Sequence, residues 1–198
     1  MKDFPFLTLD SWFLTLKKMT QYQKIIDKYY KHSDKSRDIL ITHSKLVCDK
    51  ALQIINNNPS LKVDENFIIE AAMLHDIGIF MTQAPVIGCY GEYPYICHGY
   101  LGRELLEREG IPEIALVAER HTGVGLSLYE IEMQNMPIPH RDMLPKSMEE
   151  KIICFADKFY SKSKNLTTEI PLAIIRKKLI KHGISQLKRF DIMCEMFL

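Results

Sequence analysis

Apolar residues recur three or four positions apart along almost the whole of this chain, a period that belongs to packed helices and not to strands. Ile39, Leu46, Val47 and Ile54 mark one such face, Ile68, Ala71, Ala72 and Leu74 a second, and Ile152, Ile153, Phe155 and Ala156 a third. No alternating run, internal repeat or low-complexity segment competes with that pattern. The spacing therefore predicts an all-α fold, and 198 residues suit one well-packed domain better than two cramped ones.

Punctuation residues divide the pattern. A first helix is expected from near Asp10 to near Tyr30, carrying Trp12, Leu16, Ile25 and Ile26, and a second from Ser33 or Asp34 to Asn56. Asp64 reads as the N-cap of a third, which should end at Asp76-Ile77 with Gly78 as its C-terminal stop. Residues 81–97 hold Pro85, Gly88, Gly91 and Pro94 without periodicity and read as a long loop. Further helices are expected over His98–Glu109, closed by Gly110, and over Glu113–His121, opened by Pro112. After an irregular stretch over 136–146, Ser147 and Glu150 form a capping-box pattern before a helix bearing Ile152 through Tyr160. Two more follow, one between Pro171 and Gly183 and one capped by Ser185.

Composition narrows the partners. With a net charge of +1, no basic field marks nucleic acid as a bulk partner, and Arg176-Lys177-Lys178 with Lys181 reads as a solvated helix face. Five cysteines (Cys48, Cys89, Cys97, Cys154, Cys194) form no C-x-x-C pair and fit a reducing compartment, with Cys48, Cys154 and Cys194 as buried small hydrophobes. Asp3, Pro5 and Asp10 make the start of the chain a poor signal peptide, and no run approaches ~18 apolar residues. A cytoplasmic location without membrane contact is expected; self-association into a homo-oligomer is left open.

Against this map six side chains stand out. His75 and Asp76 are adjacent at the end of an apolar helix, and can share one site only by reaching a common centre such as a metal ion. His43 lies on the apolar face of its helix, His98 at the mouth of the long loop, and His121 at a helix end. Asp157 ends the run Ile-Ile-Cys-Phe-Ala-Asp, where a buried carboxylate is costly unless paired or bound to a cation.

In order, His43, His75-Asp76, His98, His121 and Asp157 resemble the H…HD…H…H…D signature of the HD-domain superfamily, in its HDIG-containing branch. The likeness spans about residues 37–164, leaving an N-terminal helix and a C-terminal helical extension within a single HD domain over 1–198. Ala72-Met73-Leu74-His75-Asp76-Ile77-Gly78, Glu119-Arg120-His121-Thr122-Gly123 and Ala156-Asp157-Lys158 carry it. The resemblance implies a helical bundle in which His43, His75, Asp76 and Asp157 hold one divalent metal and His98 and His121 a second, with Asp76 bridging. Fe, Mn, Zn, Ni, Co and Mg all remain open. Two cations ~3.5–4 Å apart can share and acidify a water and clamp a phosphoryl group. The implied activity is that of a metal-dependent phosphohydrolase acting on a small phosphate ester or anhydride, a nucleotide or dinucleotide above all.

The catalytic residues on this reading are Asp76 and Lys158, the latter against a substrate phosphate or else solvated on the outer helix face. Arg120 and Arg141 read as phosphate clamps or surface salt bridges, and His32, His140 and His182 as surface residues. Tyr90, Tyr93 and Tyr95 are expected to stack on a base or to pack within their loop. After His75-Asp76 the chain lacks the acidic pair of guanosine tetraphosphate hydrolases, and after His121 it lacks the second histidine and Gly-Tyr-Pro element of cyclic-di-GMP phosphodiesterases. It is similar to small dinuclear HD proteins such as diadenosine tetraphosphate hydrolases. HD-fold diiron oxygenases share the ligand set, and a non-enzymatic metal-binding signalling module is the third reading.

Overall fold

The computed structural model describes residues 21–30, 35–163 and 165–198. Trp12, Leu16, His32 and the Ser33 or Asp34 start expected for the second helix lie outside them.

Helix α1, described over 21–29, buries Tyr22, Ile25 and Ile26. It is followed by α2 (Lys35–Asn57), α3 (Glu65–Leu74), α4 (His98–Arg108), α5 (Pro112–Arg120), α6 (Leu128–Met133), α7 (Met148–Asp157), α8 (Leu172–Leu179) and α9 (Ile184–Phe197). The only sheet among the described residues is a hairpin of two short strands, β1 (Gln83–Ala84) and β2 (Cys89–Tyr90), inside the expected loop. The fold is all-α, as the periodicity predicts.

Local chemistry explains most boundaries. The Asp64 carboxylate accepts from the Phe67 amide at 3.1 Å and starts α3. Pro112 occupies the first turn of α5, and Gly110 takes a φ of 78° where α4 stops. Four expectations need correction. The third helix ends at Leu74, not at Asp76-Ile77, and a 3-10 turn over Ile77–Met81 follows it. Helix α7 stops at Asp157, leaving Phe159 and Tyr160 beyond it. Ser185 caps nothing, since α9 begins at Ile184 after Gly183. Helix α6 was not expected at all, although Ser127 and Glu130 form a reciprocal capping box that its sequence displays.

Helix α2 packs on α3 and α7, while α4 packs on α5 and on the 3-10 turn. The core centres on Phe155, whose ring lies 5.0, 5.2 and 5.4 Å from those of Phe159, Phe190 and Phe197. The last two come from α9, so the C-terminal helix closes the bundle; a buried side chain of this kind contributes about 1.5–3 kcal/mol. A smaller apolar cluster of Cys97, Leu101, Leu126, Ile131, Ile138 and Met143 supports the 126–143 segment. All five cysteines are free and buried. Among the described residues no helix is long and apolar enough to cross a membrane.

Candidate metal centre

In a continued helix His75 and Asp76 would point ~100° apart. Because α3 stops at Leu74 and Asp76 turns into the bridge region (φ −101°, ψ 11°), both side chains instead aim into the bundle. There they meet His43 from the middle of α2, His98 from the first turn of α4, His121 just after α5, and Asp157 at the end of α7. The six side chains are all buried.

Asp76 lies between two groups. Its Oδ2 is 3.0 Å from His75 Nε2 and 3.4 Å from His43 Nε2, and its Oδ1 is 3.3 Å from His121 Nε2 and 3.5 Å from His98 Nε2. Asp157 Oδ1 joins the first group, 2.8 Å from His43 Nε2 and 3.5 Å from His75 Nε2. Within each group, His43, His75, Asp76 and Asp157 on one side and Asp76, His98 and His121 on the other, the donor atoms lie within 4.8 Å of one another.

The outer nitrogens decide what the inner ones can do. His75, His98 and His121 each face a backbone carbonyl three residues back through Nδ1: Ala72 at 2.7 Å, Tyr95 at 2.6 Å and Ala118 at 2.8 Å. A carbonyl accepts, so the network assigns the proton to Nδ1 and leaves a lone pair on each Nε2. This is the outer-shell arrangement that orients metal-ligating histidines. Two consequences show that the donor set fits divalent cations. The Nε2 atoms of His98 and His121 face each other at 3.1 Å, which two lone pairs do not tolerate without a cation or proton between them. His75 Nε2 and both Asp76 oxygens are buried with no hydrogen-bond partner of acceptable geometry.

Burial pushes His43 down to about 4 and His98 down to about 3, and lowers His121 as well, so these imidazoles stay neutral, the form that metal ligation requires. Burial also opposes charge on His75, but Asp76 and Asp157 outweigh it and raise that ring to about 9, so a cation bound at its Nε2 would displace a proton from there. Burial works against ionisation of the two carboxyls too, yet the lysines and imidazoles beside them hold both well below the usual carboxylate range.

The cation nearest Asp76 is one that the sequence did not single out. Lys162 Nζ is 2.7 Å from Asp76 Oδ2 and 3.5 Å from Asp157 Oδ1, a close ion pair whose Asp76 contact lacks hydrogen-bond alignment. It sits in the irregular segment after α7, where no periodicity assigns a direction to a side chain. Lys158, expected beside a substrate phosphate or in solvent, is tied inward, 2.6 Å from Asp157 Oδ2 and donating to the His121 carbonyl at 3.2 Å. Tyr95 stacks on His98 with centroids 4.7 Å apart and, like Tyr90 and Tyr93, is exposed.

Both arginines enter salt bridges away from the cluster: Arg120 with Glu150 at 2.8 Å, and Arg141 with the buried Glu119, which Arg103 also holds at 2.6 Å. Glu150 forms only half of its expected capping box: Ser147 accepts from its amide, while its carboxylate takes Arg120 and the Lys146 amide, at 2.7 Å, instead of the Ser147 amide. His140 and His182 are exposed, as expected. A second missed contribution comes from α9. Gln186 accepts from the Val124 amide at 2.7 Å and donates to the Gly125 carbonyl at 2.8 Å, while Arg189 donates to the Val124 and Gly125 carbonyls. The turn that follows His121 is thereby clamped from a helix more than 60 residues away.

The HD domain family model matches residues 40–161. A tRNA (cytidine(56)-2'-O)-methyltransferase of Thermoplasma volcanium is 27% identical over 84% of this chain and 44% of its own length. The protein of the same name from Picrophilus torridus is 31% identical over 65% of this chain and 33% of its own. An uncharacterised protein of Methanocaldococcus jannaschii is 30% identical over 72% of this chain and 79% of its own. The chain thus spans less than half the length of the two methyltransferases it matches. No solved structure matches it significantly.

Proposed function

The chain belongs to the HD-domain family, and on that footing we propose that it is a metal-dependent phosphohydrolase cleaving a small phosphate ester or anhydride, a nucleotide or dinucleotide. The observation that carries this reading is the sharing of Asp76: one oxygen faces His43 and His75, the other His98 and His121. A carboxylate so placed suits two cations, one held by His43, His75, Asp76 and Asp157 and one by Asp76, His98 and His121. Divalent metals bound there supply Lewis acidity and charge neutralisation at a phosphoryl group.

The protein's own groups do the rest. The carbonyls of Ala72, Tyr95 and Ala118 fix three imidazoles so that their bare nitrogens converge. Lys158 holds Asp157 and the His121 backbone in place, and it lines the cavity over the cluster together with Lys162. Their ammonium groups offer positive charge to the phosphate as the transition state builds negative charge. In the overall reaction a P–O bond breaks, the oxygen of water stays on phosphorus, and one of its protons ends on the leaving oxygen.

The methyl transfer named for two relatives is not carried to this chain, because that name covers proteins whose greater part lies outside the shared segment. The test is elemental analysis of purified protein, followed by a phosphate-release screen over nucleotides, dinucleoside polyphosphates and sugar phosphates. Two metals per chain and release from at least one phosphate compound are expected. Iron content, oxygen uptake with a polyol or phosphonate, and no phosphate release would replace this reading with an oxygenase. Metal without turnover of either kind would leave a binding module.

A further inference from the structure

We propose that the Lys162 ammonium is a built-in stand-in for the first metal ion: the two compete for the same pair of carboxylate oxygens, and metal entry turns the lysine out toward the cleft. This rests on the two-cation reading above. The oxygens that Lys162 meets are those turned toward the first group. Asp76 Oδ2, 2.7 Å from its Nζ, is also the oxygen 3.0 Å from His75 Nε2 and 3.4 Å from His43 Nε2. Asp157 Oδ1, 3.5 Å from Nζ, is also the oxygen 2.8 Å from His43 Nε2. Asp76 Oδ1, which faces His98 and His121, belongs to the second group. Any cation ligated by Asp76 Oδ2 and Asp157 Oδ1 therefore comes within a few ångströms of the ammonium, and positive charges that close in a buried site repel strongly. The lysine and the first cation exclude each other.

Asp76 and Asp157 are both buried, and a buried carboxylate left unpaired strongly destabilises a fold. Lys158 and Lys162 answer them in different ways. Lys158 takes the other oxygen of Asp157, Oδ2, at 2.6 Å and is tied to the His121 carbonyl at 3.2 Å, so it can stay when a cation arrives. Among the described residues the ion pairs and hydrogen bonds of Lys162 go to the two carboxylates alone, and its Asp76 contact lacks hydrogen-bond alignment. Its backbone lies in the irregular segment after α7, so the side chain can swing without moving a helix. It also has room to do so. Lys162 lines both the cavity of about 260 Å³ over His98 and His121 and a larger one of about 600 Å³ that runs outward past residues 83–87 and 160–163.

Removing this lysine has effects of opposite sign. Without metal, the carboxylates lose their partner and the fold weakens. Toward metal, the site loses its competitor and binds more tightly. A lysine that merely braced the fold would weaken both stability and metal binding when removed, and one that met only the substrate would change neither. The device also makes the two groups unequal, because the competitor stands at the first group and not at the second.

The full chain is stripped of metal with a chelator, freed of the chelator by dialysis, and compared with Lys162→Met and Lys162→Arg. Without metal, Lys162→Met should melt at least about 5 °C below the parent, while Lys162→Arg, which keeps the charge, should stay within about 2 °C of it. Calorimetric titration with Mn²⁺ is run in the parent and in His98→Ala, which leaves the first group whole. In both, adding Lys162→Met should tighten one cation by about tenfold or more, and adding Lys162→Arg should change it by less than about threefold. Reductive methylation read by mass spectrometry needs no variant: modification of Lys162 in the parent should speed up severalfold once Mn²⁺ saturates the site. Mn²⁺ bound equally or more weakly by Lys162→Met, or a Lys162 as protected with metal as without, overturns the proposal and leaves the metal site standing. Parent protein that binds no Mn²⁺ removes the two-cation reading and this proposal together.

Discussion

Replacing Gly78 by alanine should damage both the fold and one half of the metal site, and the structure says by how much. A Cβ at this position would lie 2.3 Å from the His98 carbonyl oxygen, 2.6 Å from the Gly102 amide nitrogen and 3.0 Å from the Gly102 Cα. All three are backbone atoms of α4, so no side chain can swing aside, and the helix must retreat by about 1 Å to regain ordinary contact. Overpacking of this kind costs about 3 kcal/mol, at the upper end of its usual range. For a chain of this length the melting temperature should then fall by roughly 6–12 °C.

Since α4 begins at His98, whose Nε2 faces Asp76 at 3.5 Å, the same retreat carries a ligand away from the second group. Thermal melts followed by circular dichroism would read the first effect, and metal per chain after dialysis the second, with one cation expected to be lost. Gly102→Ala is the control. Its Cβ would meet Ala118 Cβ at 3.4 Å, Gly78 N at 3.4 Å and Ile77 Cγ2 at 3.5 Å, which is ordinary contact. A helical glycine gains about 0.5–1 kcal/mol on becoming alanine, so this variant should match or slightly exceed the parent. If Gly78→Ala melts within about 2 °C of the parent and keeps both cations, or if Gly102→Ala is equally harmful, close backbone approach is not the reason for the glycine.

Asp76→Ala should remove both metals, and His98→Ala only one, each with the helical spectrum retained; two metals still bound to His98→Ala would refute the division of ligands around Asp76. Gln186→Ala leaves the buried Val124 amide without its acceptor, a loss of about 2 kcal/mol, and hydrogen exchange at Val124 should quicken while that in α2 lags behind it. Burial opposes ionisation of Glu130, but hydrogen bonds from Arg189 and Ser127 outweigh it and hold its carboxyl below the ordinary 4.5. Its contribution to stability is therefore complete above about pH 4.5 and is lost as pH falls through the lower folded value, so Glu130→Gln should flatten the acid limb of stability against pH. An unchanged acid limb would show that the Arg189 pair contributes nothing there.

The helical reading follows from short-range rules, and those rules operate within a few residues. The Asp64 cap, the Pro112 start and the Gly110 stop are each decided by backbone groups one to four positions away, which a linear pattern displays. Where a local pattern misled, a contact from elsewhere had intervened. Gly78 reads as a helix stop, yet it is a glycine because α4 lies against it. Glu150 reads as half of a capping box, yet its carboxylate takes Arg120, 30 residues away, and the Lys146 amide in place of that of Ser147.

The six His and Asp side chains could be picked out because histidine on an apolar face and aspartate in an apolar run are costly choices, and because their order resembles a known signature. That they meet, with Asp76 between two groups and three imidazoles fixed by the carbonyls three residues before them, is a matter of tertiary packing. Lys162 and the Gln186–Arg189 clamp were beyond the reach of any pattern. A lysine in an irregular segment has no periodicity to aim it, and a glutamine more than 60 residues from the turn it holds leaves no local trace. The sequence by itself determined most of the helices, α6 excepted, and named the donors of the candidate metal centre. Only the tertiary structure decided which cation stands beside them and what lines the way in, because those depend on where distant segments come to rest.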